Sequence, residues 1–116
     1  MIDGSTAVIP RPDAPYDLTD EESDEWRAIV NSMPAEHFVR SHYPMLTQLC
    51  RHKVQSDRVV QLVEACVKSR KGKTFNNRDY KDLCVQQAVE TSTIIRLCRS
   101  MRLTQQSVIR ADASSR

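Results

Sequence analysis

Aromatic residues make up only 5% of this 116-residue chain, and glycine occurs twice. Half-buried strands draw on the first and tight sheet connections on the second, so this poverty argues against a β-sandwich or an α/β enzyme. No run of 18 apolar residues is present to span a bilayer, and no signal peptide opens the chain; a protein of the reducing cytoplasm, without membrane contact, is expected. The four cysteines, Cys50, Cys66, Cys84 and Cys98, form no CxxC pair, and no histidine stands at zinc-ligand spacing from them. All four fall in apolar-periodic stretches, which predicts small buried residues rather than ligands or disulfides. There is no phosphate loop, no Gly-rich turn, and no grouping of nucleophile, histidine and orienting acid around His37, His42 or His52. The chain is therefore read as non-enzymatic, with no catalytic residue, metal or cofactor.

What is present is charge, unevenly spread, and helical periodicity. Residues 1–25 hold eight acids and one base, Arg11, whereas residues 26–116 hold sixteen bases and seven acids. A basic body with an acidic N-terminal arm favours a polyanionic partner, nucleic acid above all, although a solvated helical surface carries similar charge.

Pro10, Pro12 and Pro15 among scattered acids predict a disordered arm over residues 1–18. Thr19 and Glu22 form a capping box that starts helix 1. Trp26, Ile29, Val30 and Met33 give it a narrow apolar stripe, and Pro34 ends it. After a short connector, Pro44 is expected to open helix 2, which runs to about Arg70. Asn77 is expected to cap helix 3, which runs to about Arg102. One helical domain over residues 19–103 and a flexible tail over 104–116 complete the layout.

Both long helices carry a heptad-like seam. In helix 2 it is Met45, Leu49, His52, Ser56, Val59, Val63 and Cys66; in helix 3 it is Tyr80, Cys84, Gln87, Thr91, Ile94, Cys98 and Met101. A short polar turn predicts an antiparallel hairpin that pairs Val63 with Cys84, Val59 with Gln87, Ser56 with Thr91, His52 with Ile94 and Leu49 with Cys98. The middle of that seam is polar. A second apolar set, Leu46, Val60, Val67, Ala88 and Ile95, with Leu62, Leu83 and Leu97, exceeds what two helices can bury. Self-association is expected to cover the surplus.

The order of features from Trp26 onward then becomes informative. Glu25-Trp26-Arg27-Ala28-Ile29-Val30 is followed by the break Met33-Pro34-Ala35-Glu36-His37-Phe38. Pro44-Met45-Leu46-Thr47-Gln48-Leu49-Cys50-Arg51-His52 opens one long helix, and Leu97-Cys98-Arg99-Ser100-Met101-Arg102-Leu103-Thr104-Gln105-Gln106-Ser107 closes another. Over about residues 20–110 this resembles the small subunit of a tailed-phage or prophage terminase. In that family the last helix ends in a Leu-Thr-Pro-x-Ser-like signature before a basic tail; Leu103-Thr104-Gln105-Gln106-Ser107 is similar, with Gln105 at the proline position. The resemblance implies an all-α homo-oligomer, a ring of helical hairpins in the cytoplasm of an infected or lysogenic host. It also implies two partners, double-stranded phage DNA and the large ATPase–nuclease subunit. One departure matters: no helix-turn-helix is recognisable, and the acidic helix 1 is unsuited to base readout, so phosphate contact rather than sequence reading is expected.

The residues expected to touch DNA are Arg51, Lys53 and Arg58 on helix 2, then Lys68, Arg70, Lys71, Lys73, Arg78 and Lys81 around the turn, the densest basic cluster. Met45, Leu49, Val59, Val63, Cys84, Ile94, Cys98 and Met101 are the core and oligomer seam. Thr104, Gln105, Gln106 and Ser107 are the segment for the large subunit. Two readings are open for Arg96, Arg99, Arg102 and Arg110: DNA contact, or pairing with acids such as Asp20, Glu21, Glu22, Asp24 and Glu25 in the same or a neighbouring copy. Two rival functions are a dimeric helical DNA-binding transcriptional regulator and a helical interaction module without nucleic-acid binding.

Overall fold

The computed structural model describes residues 9–69 and 76–103. Among these residues it is all-helical, with α1 (Asp20–Asn31), a single 3-10 turn (Arg40–His42), α2 (Tyr43–Ser69) and α3 (Asn77–Ser100), and no strand.

The start of α1 follows from local chemistry. Thr19 Oγ1 accepts from the Glu22 N–H at 3.2 Å, and a Glu22 carboxylate oxygen accepts from the Thr19 N–H at 2.9 Å, so two orphan donors are satisfied reciprocally. Asp20, Glu21 and Glu22 occupy the first turn, where the dipole favours anions. Its other end has no basic residue of its own. Arg11 supplies one from outside, donating through Nε to the Val30 carbonyl (3.1 Å) and through Nη2 to the Met33 carbonyl (3.2 Å). The indole Nε1 of Trp26 donates to the Pro12 carbonyl at 2.9 Å, and Leu18 is buried. The expectation of a disordered arm over residues 1–18 is thus corrected from Ile9 onward: this stretch is pinned to α1 because the helix end needs donors and the indole needs an acceptor. Residues 1–8 lie outside the described residues.

Helix α2 begins at Tyr43, one residue before the expected Pro44; proline in the first turn costs no hydrogen bond. The cap of α3 is Asn76 and not Asn77. Asn76 has an extended backbone, and its side-chain oxygen accepts from the N–H groups of Arg78 (2.9 Å) and Asp79 (3.2 Å). At the far end α3 closes with the N–H of Leu103 bonded to the Cys98 carbonyl (2.8 Å) and that of Arg102 to the Arg99 carbonyl (3.1 Å). This is a Schellman motif with a non-glycine residue in the left-handed position, Arg102 at φ 57°. Its usual apolar contact is present, since Leu103 and Cys98 share the core. His37 Nε2 donates to the Met101 carbonyl at 2.8 Å, so the connector satisfies one more acceptor at that end.

The long helices run side by side in opposite directions. His52 meets Glu90, and the Leu62–Ser69 stretch shares a groove with Asp79, Asp82 and Leu83. Helix α1 lies on α2. The core joins all three: Trp26, Ile29 and Val30 of α1, Leu46, Leu49 and Cys50 of α2, and Cys98 of α3 with Met101 and Leu103 just beyond it, closed by Leu18 and Phe38. Of the expected seam, Leu49, Val59, Cys98 and Met101 are buried, and Met45, Val63, Cys84 and Ile94 are half-buried. Two details differ. His52 bonds Glu90, a partner outside the expected pairing, and Thr91 is exposed, its hydroxyl donating back to the Gln87 carbonyl at 3.0 Å. The buried polar residue of α3 is therefore Glu90, one position away. The side chain that found a charge-bearing partner took the inward place.

Burial is concentrated in one half of the molecule. Trp26, Leu46, Leu49 and Met101 are fully enclosed, whereas Leu62, Val67, Val85 and Val89 are each about half exposed or more. We expect Leu49→Ala to cost about 2–5 kcal/mol in urea denaturation followed by circular dichroism. Val89→Ala should stay within about 0.5 kcal/mol of the wild type.

Candidate nucleic-acid and oligomer interface

The basic residues assigned to DNA from the sequence separate into three groups. Lys53 is a buried residue, and its Nζ lies 2.9 Å from Oε2 of Glu25, with side chains only 6% and 12% exposed. Lys53 is therefore corrected from a DNA contact to an internal cation that joins α2 to α1. Arg51 Nη2 lies 3.1 Å from Oδ2 of Asp17 in a partly exposed pair, so its charge is locally offset, and such a pair adds little stability. Arg58, Lys68, Arg78 and Lys81 are exposed on α2 and α3. Arg70, Lys71 and Lys73, from the densest part of the expected cluster, lie outside the described residues.

The three exposed arginines at the C-terminal end of α3, Arg96, Arg99 and Arg102, do not take up the acids of α1 within the chain. Among the described residues, Asp24 pairs with Arg27 (3.0 Å) and Glu25 with Lys53. Geometry explains the preference: Glu25 points into the α1–α2 contact, and Arg27 is one turn from Asp24. Arg110 and the tail residues Thr104, Gln105, Gln106 and Ser107 lie outside the described residues.

Beside these charges is apolar surface without cover. Helix α1 has 12 residues and α2 has 27, so at 1.5 Å per residue a rod of about 18 Å lies on one of about 40 Å. The α2 face that α1 covers contains Leu46, Cys50 and Lys53, all buried. The same face continues with heptad spacing through Val60, Glu64 and Val67, beyond the reach of α1, with Glu64 and Val67 exposed among the described residues. On α3 a second heptad-spaced stripe, Val85, Val89, Ser92, Arg96 and Arg99, is exposed along its whole length, and a shallow groove is lined by Val85, Ala88, Val89, Ser92 and Arg96. Sequence reading found the surplus of apolar residues. It did not find which half of each helix would carry it, because that depends on where α1 stops.

Inside the fold, two polar devices cross between elements. One is Lys53–Glu25. The other is His52–Glu90, Nδ1 to Oε2 at 2.7 Å, with the histidine side chain 32% exposed and the glutamate 11%. Cys50 and Cys98 are buried as expected, while Cys66 and Cys84 are only half-buried, being on the uncovered half. Burial, with Glu25 adding repulsion, pushes the Cys50 thiol up to about 12 against the partial relief of Lys53; burial raises Cys98 as well. Among the described residues no group of three or more His, Cys, Asp or Glu side chains could hold a metal ion, and no helix is long and apolar enough to cross a membrane.

No family model, no curated protein and no solved structure matches the chain.

Two outcomes follow from the buried groups. Lys53→Ala strands a buried carboxylate and should cost about 3–5 kcal/mol in chemical denaturation, and pairing Lys53→Met with Glu25→Gln should recover most of it. That double variant should bind DNA as the wild type does. For Cys50, the thiol keeps its proton in the fold after the unfolded chain has lost it near its ordinary value, so stability should fall as pH rises from about 9 towards about 12. Urea midpoints across that range should fall less steeply in Cys50→Ala.

Proposed function

We propose that this chain is a non-catalytic DNA-packaging protein of the kind it resembles, a terminase small subunit. In this reading its helical hairpins stand side by side in a ring, hold double-stranded phage DNA, and deliver it to the large ATPase–nuclease subunit, which they regulate. The setting is the cytoplasm of an infected or lysogenic bacterial host. The observation that carries the reading is the half of α2 and α3 beyond Val59, where exposed apolar residues (Leu62, Val67, Val85, Val89) stand among exposed bases. Surface of that kind suits contact with other copies. The bases suit phosphates, and repetition around an oligomer sums individually weak contacts.

Arg58, Lys68, Arg78 and Lys81 are the DNA-facing residues in this proposal, continued by Arg70, Lys71 and Lys73. Contact with phosphates needs charge at roughly the right place and no helix in the major groove, which agrees with the acidic outer face of α1. Thr104, Gln105, Gln106 and Ser107, beyond the closed end of α3, are left for the large subunit.

The test joins two measurements. Light scattering after size-exclusion chromatography should give a mass of many chains; a mass of two chains would favour a dimeric DNA-binding regulator instead. Titration of a short duplex should show affinity falling about a thousandfold between about 50 and about 200 mM salt when about six phosphates are neutralised. Lys68→Glu with Lys81→Glu should lower the log–log salt slope by about 2 without changing the mass. An assembled protein that binds no duplex at low salt would be an interaction module and would overturn the DNA reading.

A further inference from the structure

We propose that the contact between copies is heterologous, with the outer stripe of α3 in one copy lying antiparallel along the α1–α2 face of the next, held at one end by an arginine–carboxylate latch. This rests on the reading of the chain as a self-assembling protein and specifies the surfaces it uses.

The two faces match in a single register. On the receiving side, α1 covers α2 from Leu46 to Lys53, and the same face continues through half-buried Val60 to exposed Glu64 and Val67. The covering helix turns Asp20, Glu21 and Asp24 outward, all exposed. On the donating side, α3 presents Val85 and Val89 in its middle, followed by Arg96 and Arg99 and then Arg102 beyond its end, again all exposed. Laying Val85 and Val89 antiparallel over the Val60–Val67 stretch brings the arginines up to the end of α1 beside Lys53, where Asp20 and Glu21 occupy the first turn. Apolar surface then meets apolar surface, and the cationic end meets the acidic helix. The opposite direction would put the arginines beyond Val67, near Lys68, and leave the acids unanswered.

Within one chain, among the described residues, Glu25 pairs with Lys53 and Asp24 with Arg27, and none of the three arginines is paired with an acid of α1. A neighbouring copy provides one. Because the two faces differ and occur on the same chain, each copy can donate to one neighbour and receive from another, the arrangement that closes into a ring or extends as a filament. Charges placed this way fix direction and register more than they add affinity, and the apolar stripe supplies the attraction.

Charge reversal tests this by mass. Arg96→Glu with Arg99→Glu should reduce the assembly to single chains of 13.3 kDa, and Asp20→Arg with Glu21→Arg should do the same, with helical circular dichroism retained. Combining all four substitutions should restore the assembly, because the charges are exchanged rather than lost. If the wild type assembles and neither reversed pair changes its mass, the latch is wrong while self-assembly stands. If the arginine pair keeps its mass but loses duplex binding, the row contacts phosphate and the proposal is overturned. A wild type that remains a single chain at every concentration removes the self-assembling reading itself, and this inference with it.

Discussion

A helix of 12 residues cannot cover one of 27. Most of what distinguishes this chain depends on that mismatch. Where α1 lies on α2, a three-layer core forms around Trp26, Leu46, Leu49 and Met101, with each side chain fully enclosed. Where α1 stops, the same periodic faces continue, with only two helices among the described residues to share them. The apolar pattern does not change at that point; the number of layers does. Small domains lose the means to enclose their apolar residues when a layer is missing, and the exposed valines of α2 and α3 are the result.

The covered half is held by groups that reach across chain distance to satisfy helix ends. Arg11 answers carbonyls at the end of α1, 19 and 22 residues away, and His37 answers the carbonyl of Met101, 64 residues away. Lys53 and Glu25 add a buried charge pair between α1 and α2. Such pairs contribute little net stability against their desolvation but penalise any arrangement that separates them. The register of α1 on α2 is thus specified by charge and enclosed by apolar packing.

Much of this was legible in the sequence, and the parts that were not share a cause. The Thr19–Glu22 box and the helical stripes depend on neighbours within four residues, so the pattern alone located them. Asn76 and Asn77 are both competent caps, and the choice lay in a backbone angle that the sequence does not display. Lys53 looked like its neighbours Arg51 and Arg58 until Glu25 was placed against it. The arm appeared loose because its prolines and acids are typical of disorder, yet one arginine and one carbonyl tie it down. In each case the deciding partner came from another element. The surplus of apolar residues could be counted from the sequence, but their location depended on the length of α1.

The uneven layering also divides the molecule by cooperativity. Opening the half that contains Trp26 and Leu49 requires disrupting nearly the whole core, so its backbone amides should exchange only through global unfolding. The other half can splay by separating two helices, a sub-global event of lower free energy. One pair of continuous helices therefore spans a rigid base and a soft extension. Any surface that clasps the extension must first offset the entropy of quieting it.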